Sequence, residues 1–87
     1  MKVYNMTSSK GNKIANQFEI YHNNNRYFQS YNSIIIKQTN KKTYLDKYYY
    51  NYSVTTSRYR NMFLDEDTKT IEKKIKNKEY ILTNLNK

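Results

Sequence analysis

The first half of the chain alternates apolar and polar side chains with the period of two that strands require. Residues 2–7 alternate weakly, as an edge strand would. Ile14, Asn16, Phe18 and Ile20 alternate with Ala15, Gln17, Glu19 and Tyr21, which predicts a half-buried strand with one inner face. Residues 26–31 alternate again as its hairpin return. Between them Asn23-Asn24-Asn25 reads as a turn, because asparagine tolerates left-handed backbone better than other non-glycine residues. Residues 8–12 form an earlier turn and hold the only glycine, Gly11. Asn32-Ser33 bends or bulges the chain before Ile34-Ile35-Ile36. Three consecutive isoleucines predict a central strand covered on both faces, or one beside a bulge. Asn40-Lys41-Lys42 then turns the chain into a short strand over 43–45.

From there the period changes. At 100° per residue, Leu45, Tyr48, Tyr49, Tyr52, Thr55, Thr56, Tyr59 and Phe63 share one face, while Tyr50, Val54, Ser57, Arg58 and Asn61 share the other. Period favours a helix, although Tyr, Val and Thr are better strand formers. The pattern predicts a central helix capped by Asp46 and ending near Leu64, with Tyr52 and Tyr59 in the core. Asp65-Glu66-Asp67 would oppose the negative end of that helix and favour the start of a second one capped by Asp67. Ile71 and Ile75 form its inner stripe, Asn77-Lys78 ends it, and residues 80–85 read as a last strand or a continued helix. The predicted architecture is α+β: an antiparallel sheet of four or five short strands with two helices packed on one face.

Eighty-seven residues make one expected domain, and the absence of cysteine leaves neither disulfides nor thiolate zinc sites to support it. MKVYNMTSSK has no apolar signal core, and no run approaches a membrane span, so no membrane association and a cytoplasmic location are expected. Sixteen Lys and Arg against seven Asp and Glu give a net charge of +9. Residues 1–60 carry ten of the basic side chains and two acids; residues 61–87 carry six and five. Such an excess suits an acidic partner, above all nucleic acid, although AT-rich codons for Lys, Asn, Tyr and Ile would also raise it.

Catalysis is not expected. His22 precedes a turn and has no carboxylate in its local run, and the three consecutive acids lack the alternating spacing of a calcium loop. A single glycine excludes most phosphate-binding and nucleophile-elbow motifs. No cofactor or metal is implied. Aromatics interleaved with basic residues on a sheet can stack single-stranded bases while lysines hold phosphates. The candidate contact residues are Arg26, Tyr27, Tyr31, Lys37, Lys41 and Lys42 on the hairpin and its turns. Arg58 and Arg60 join them from the central helix, either as partner contacts or in ion pairs with acids such as Glu19 or Asp46. Alternation places Tyr27 and Tyr31 on the face opposite Phe28, so one aromatic set is left for binding.

The phrases Ala15-Asn16-Gln17-Phe18-Glu19-Ile20, Tyr27-Phe28-Gln29-Ser30-Tyr31-Asn32-Ser33-Ile34-Ile35, Tyr52-Ser53-Val54-Thr55-Thr56-Ser57-Arg58-Tyr59-Arg60-Asn61-Met62-Phe63-Leu64 and Leu85-Asn86 resemble a group of small phage and mobile-element proteins of uncharacterised function. The resemblance implies a compact accessory protein acting in the host cytoplasm on nucleic acid or on host machinery. Two functions follow as expectations. One is a small basic non-enzymatic protein that binds nucleic acid or a nucleoprotein. The other is an anti-CRISPR-like inhibitor that docks on a host defence protein. A structural oligomerisation module, using an outward Tyr50 and Val54, is a third.

Overall fold

Two asparagines set the first hairpin. A computed structural model of the chain describes residues 1–86, and in it Asn23 and Asn24 both have positive φ, 52° and 66°. A two-residue loop with both residues left-handed matches the right-handed twist of the strands it joins. It links β2 (Lys13–His22) to β3 (Asn25–Ser30). β1 (Lys2–Thr7) pairs with β2 across the turn in which Gly11 takes φ 82°. Tyr31, at φ 56°, opens the next two-residue loop into β4 (Ser33–Gln38), and β5 (Thr43–Asp46) completes an antiparallel meander.

Two helices follow, α1 (Val54–Leu64) and α2 (Thr68–Lys76), and then β6 (Tyr80–Thr83). β6 pairs with β5 in parallel, so the sheet has six strands in the order β1-β2-β3-β4-β5-β6 and is mixed. The α+β class and the two helices are as the pattern predicts; the strand count and the wholly antiparallel sheet are not. A parallel neighbour requires a long crossover, and residues 47–79 supply one that carries both helices.

The central helix is shorter than its period suggests. Residues 47–52 form turns, and Ser53 caps α1, its hydroxyl accepting from Thr56 N–H. A run of three tyrosines is poor helix material, and Ser53 offers a better start. Asp46 is therefore not the helix cap. It ends β5, fully buried, with Oδ2 accepting from the N–H groups of Tyr48 (3.1 Å) and Tyr49 (2.9 Å) and Oδ1 from Leu85 N–H (2.7 Å). Tyr52 is 72% exposed rather than in the core. From Ser53 onward the period holds in part: Thr56 and Phe63 are buried, Tyr59 packs on the core, and Val54 and Arg58 face out, but Thr55 is exposed and Arg60 is buried. Tyr50, expected outward, packs against the core as well. Asp65 closes α1 in left-handed backbone, and Asp67 caps α2 as predicted, its carboxylate accepting from Thr70 N–H at 2.8 Å.

Strand register sorts the two sheet faces, since paired residues share a face. Phe28 stacks on Phe63, ring centroids 5.7 Å apart, so the face bearing Phe28 is the one the helices cover. Its partners Ile36 and Leu45 are there too, as are Gln17, Glu19, Arg26 and Ser30. Ser30 Oγ lies 3.2 Å from Thr56 Oγ1 of α1. Met6, Phe28, Ile35, Ile36, Leu45, Phe63 and Ile71 make one buried cluster. Ile35 is the unpaired residue of a β3–β4 bulge, which lets two consecutive isoleucines both be buried. The apolar set of β2 meets a different fate: Phe18 and Ile20 stand on the face opposite the helices, while Gln17 is the β2 residue buried beneath them.

Candidate nucleic-acid interface

That opposite face carries neither helix, and among the described residues only the short segment after β6 reaches over one end of it. By register it presents Val3, Phe18, Ile20, Tyr27, Gln29, Ile34, Lys37, Tyr44 and Ile81. Tyr27 pairs with Lys37, and Lys37 pairs with Tyr44, so one lysine stands between two tyrosines across three adjacent strands. All three are half-buried and so partly accessible to solvent. Rings and a lysine side by side on an open sheet can, in chemical terms, stack on bases and meet phosphates.

Lys41 and Lys42 lie in the β4–β5 turn at the rim, both exposed. Their turn is ordered: Thr39 Oγ1 accepts from Lys41 N–H (3.2 Å) and Lys42 N–H (2.9 Å). Tyr31, 52% exposed, is at the opposite end of β3, about 13 Å of strand from Tyr27 at the usual rise per residue. The structure thus brings Tyr27, Lys37, Lys41 and Lys42 together and leaves Tyr31 at the far rim.

The arginines do not belong to this surface. Arg26 is on the helix side, where its guanidinium pairs with Glu19 (2.7 Å), donates to Gln38 Oε1 (3.0 Å) and sits 3.9 Å from the centre of the Phe63 ring. Arg60 is completely buried. It donates to the Tyr50 carbonyl (2.7 Å), to Asn61 Oδ1 (2.9 and 3.0 Å) and to Thr68 Oγ1 (3.1 Å), tying the turn before α1 to the start of α2. Burial holds its pKa below the ordinary value, with Glu72 opposing the shift. Neither arginine is free for a partner, and neither Arg58 nor Arg60 is ion-paired with Glu19 or Asp46. Arg58 is exposed on α1, over the Tyr59 ring at 5.6 Å, on the far side of the sheet from Lys37.

The acids are spent elsewhere as well. Asp65 and Asp67 form helix ends, and Glu66 accepts from both Lys74 and the Tyr80 hydroxyl. Burial and that carboxylate push the Tyr80 pKa up to about 12. No acid occupies an exposed strand position on the open face.

One end of the open face is closed by the segment after β6. Leu85 N–H is held by Asp46, and the Asn86 side chain accepts from Ile34 N–H (2.6 Å) and donates to Ile34 C=O (2.8 Å). An amide side chain thus makes the pair of bonds that a strand would make past the end of β5. Between this strap and the sheet runs an apolar groove of about 470 Å³, walled by Ile20, Tyr27, Ile34 and Leu85 with Lys37 and His22 at its margin.

A family model matches residues 1–80, which takes in β1 to β5 and both helices and ends at the start of β6. The chain belongs to DUF8033, a family of unknown function. No curated protein and no solved structure matches it. Among the described residues no helix is long and apolar enough to cross a membrane, and no three His, Asp or Glu side chains converge as metal ligands. Of the residues singled out in the sequence, Tyr27 and the three lysines lie on or at the rim of this face. Sequence reasoning missed Phe18, Ile20, Ile34 and Tyr44 as members of the same surface, although their alternation was visible.

Proposed function

We propose that this DUF8033 member is a small, basic, non-enzymatic binding protein of phage or mobile-element type whose open sheet face holds single-stranded nucleic acid. The observation that carries the reading is the segregation of charge and aromatic rings. Tyr27 and Tyr44 flank Lys37 on a face without exposed acids, with Lys41 and Lys42 at its rim. The rings offer every base a stacking surface, and the lysines meet phosphates. A duplex suits this face less well, because its bases are already stacked and paired and offer no free ring face to Tyr27 and Tyr44.

The test is a titration of labelled single- and double-stranded oligonucleotides at several salt concentrations. Replacing Lys37, Lys41 and Lys42 together by glutamine should flatten the slope of log affinity against log salt by about 2, at roughly 0.7 per phosphate on a single strand. Replacing Lys73, Lys74 and Lys76 should change it much less, since Lys74 is already paired with Glu66. Tyr27→Leu should weaken the single strand while leaving that slope intact. A folded, monodisperse protein that binds neither oligonucleotide near physiological salt would overturn the reading. A host defence protein, met in the anti-CRISPR-like manner, would then be the target to seek.

A further inference from the structure

The geometry points to the groove beneath the strap as a subsite for one unpaired base, with Leu85 as the wall that sandwiches the base against Tyr27. The inference rests on the single-strand reading above and adds where a base enters. The groove's volume, about 470 Å³, is within the ~300–1,000 Å³ usual for small-molecule sites. Its apolar lining is Met1, Ile20, Tyr27, Ile34 and Leu85, surfaces suited to a flat ring. Its polar groups are at the margin, where Lys37 can meet the adjoining phosphate and Asn84 can offer both a donor and an acceptor to a base edge.

The strap is built to hold this position. Asp46, fully buried, fixes Leu85 N–H, and Asn86 locks onto both backbone groups of Ile34, so Leu85 is anchored on either side. Asn84, Leu85 and Asn86 directly follow β6, and both β6 beyond Tyr80 and this segment lie past the end of the family match. The sheet supplies one wall of the subsite, and Asn84 and Leu85 supply the other.

The experiment compares two single-stranded oligonucleotides of equal length, one with bases and one with an abasic backbone, against the unaltered protein, Leu85→Ala and Lys37→Gln. The base-bearing strand should bind the unaltered protein about tenfold or more tightly than the abasic one. Leu85→Ala should shrink that preference several-fold without changing the salt slope, whereas Lys37→Gln should weaken both strands alike. If Leu85→Ala does not fold, methyl NMR of the unaltered protein reads the same contact: Leu85, Ile20 and Ile34 should shift with the base-bearing strand and not with the abasic one. Binding to neither strand would sink the single-strand reading itself. Equal binding to both would overturn the subsite and base stacking by the open face together, whereas an undiminished preference in Leu85→Ala, or still Leu85 methyls, would overturn the subsite alone.

Discussion

Replacing Arg60 by methionine should cost this protein a large share of its stability. The guanidinium is wholly buried and accepts no help from a carboxylate within ion-pair distance; its partners are the Tyr50 carbonyl, Asn61 and Thr68. Its two shortest contacts, 2.7 Å to Tyr50 and 2.9 Å to Asn61, involve a charged donor. Such bonds are worth about 1.5–3 kcal/mol each, or roughly 3–6 kcal/mol for the pair. Against that, methionine removes the desolvation cost of a buried charge and preserves most of the volume. The net loss should be about 3 kcal/mol, and Arg60→Ala should lose a further 1–2 kcal/mol or so through the cavity. For a domain of this size, about 3 kcal/mol lowers Tm by roughly 12–24 °C. Thermal and urea melts followed by far-ultraviolet circular dichroism give both numbers. Arg58→Met is the internal control, being exposed on the same helix, and should stay within about 0.5 kcal/mol of the parent. Arg60→Met melting with the parent, or Arg58→Met melting as low as Arg60→Met, would refute the reasoning.

Further outcomes follow from the same contacts. Asp46→Asn should be nearly as damaging as Asp46→Ala, about 2 kcal/mol or more, because an amide has one acceptor oxygen and cannot serve three N–H groups; faster amide exchange at Leu85 would accompany the loss. Phe63→Ala should cost about 3–5 kcal/mol, while Tyr52→Ala should be nearly neutral, since one ring is stacked on Phe28 and the other stands in solvent. Tyr80 should ionise late in an ultraviolet titration. Its folded pKa lies at about 12 against an ordinary 10.0, so the stability it contributes is complete below pH 10 and drains away as pH rises towards 12; a Tyr80→Phe variant should not show that alkaline component.

Most of the sheet was legible from period alone. The hairpins, the Asn23-Asn24 turn, the bulge among the isoleucines and the Asp67 cap each have a local cause in two to six residues. The errors arose where the deciding contact is distant. Alternation in β2 separates Phe18 and Ile20 from Gln17 and Glu19, but which set the helices cover is decided by Phe63, some forty residues on. Asp46 has the chemistry of a helix cap and does bind backbone N–H groups, but it binds those of a turn and of Leu85. Arg58 and Arg60 look alike in the sequence. Two residues of helical phase, about 200°, expose the first and bury the second, and only the position of Tyr50 and Thr68 gives the buried one its partners. The parallel β6 was unreadable because its neighbour β5 is separated from it by the entire helical crossover. For the interface, the lysines and Tyr27 stood out by type, whereas Tyr44, Ile34 and Leu85 join them only through register and the strap.

Chemical-shift mapping with a short single-stranded oligonucleotide at physiological salt tests the central claim most directly. Signals of Ile20, Tyr27, Ile34, Lys37, Tyr44 and Ile81 should move in a saturable way, while those of Phe28, Thr56, Arg60 and Ile71 on the helix side stay still. Shifts gathered around Arg58 and α1 instead, or none at saturating oligonucleotide, would contradict the assignment of the open face.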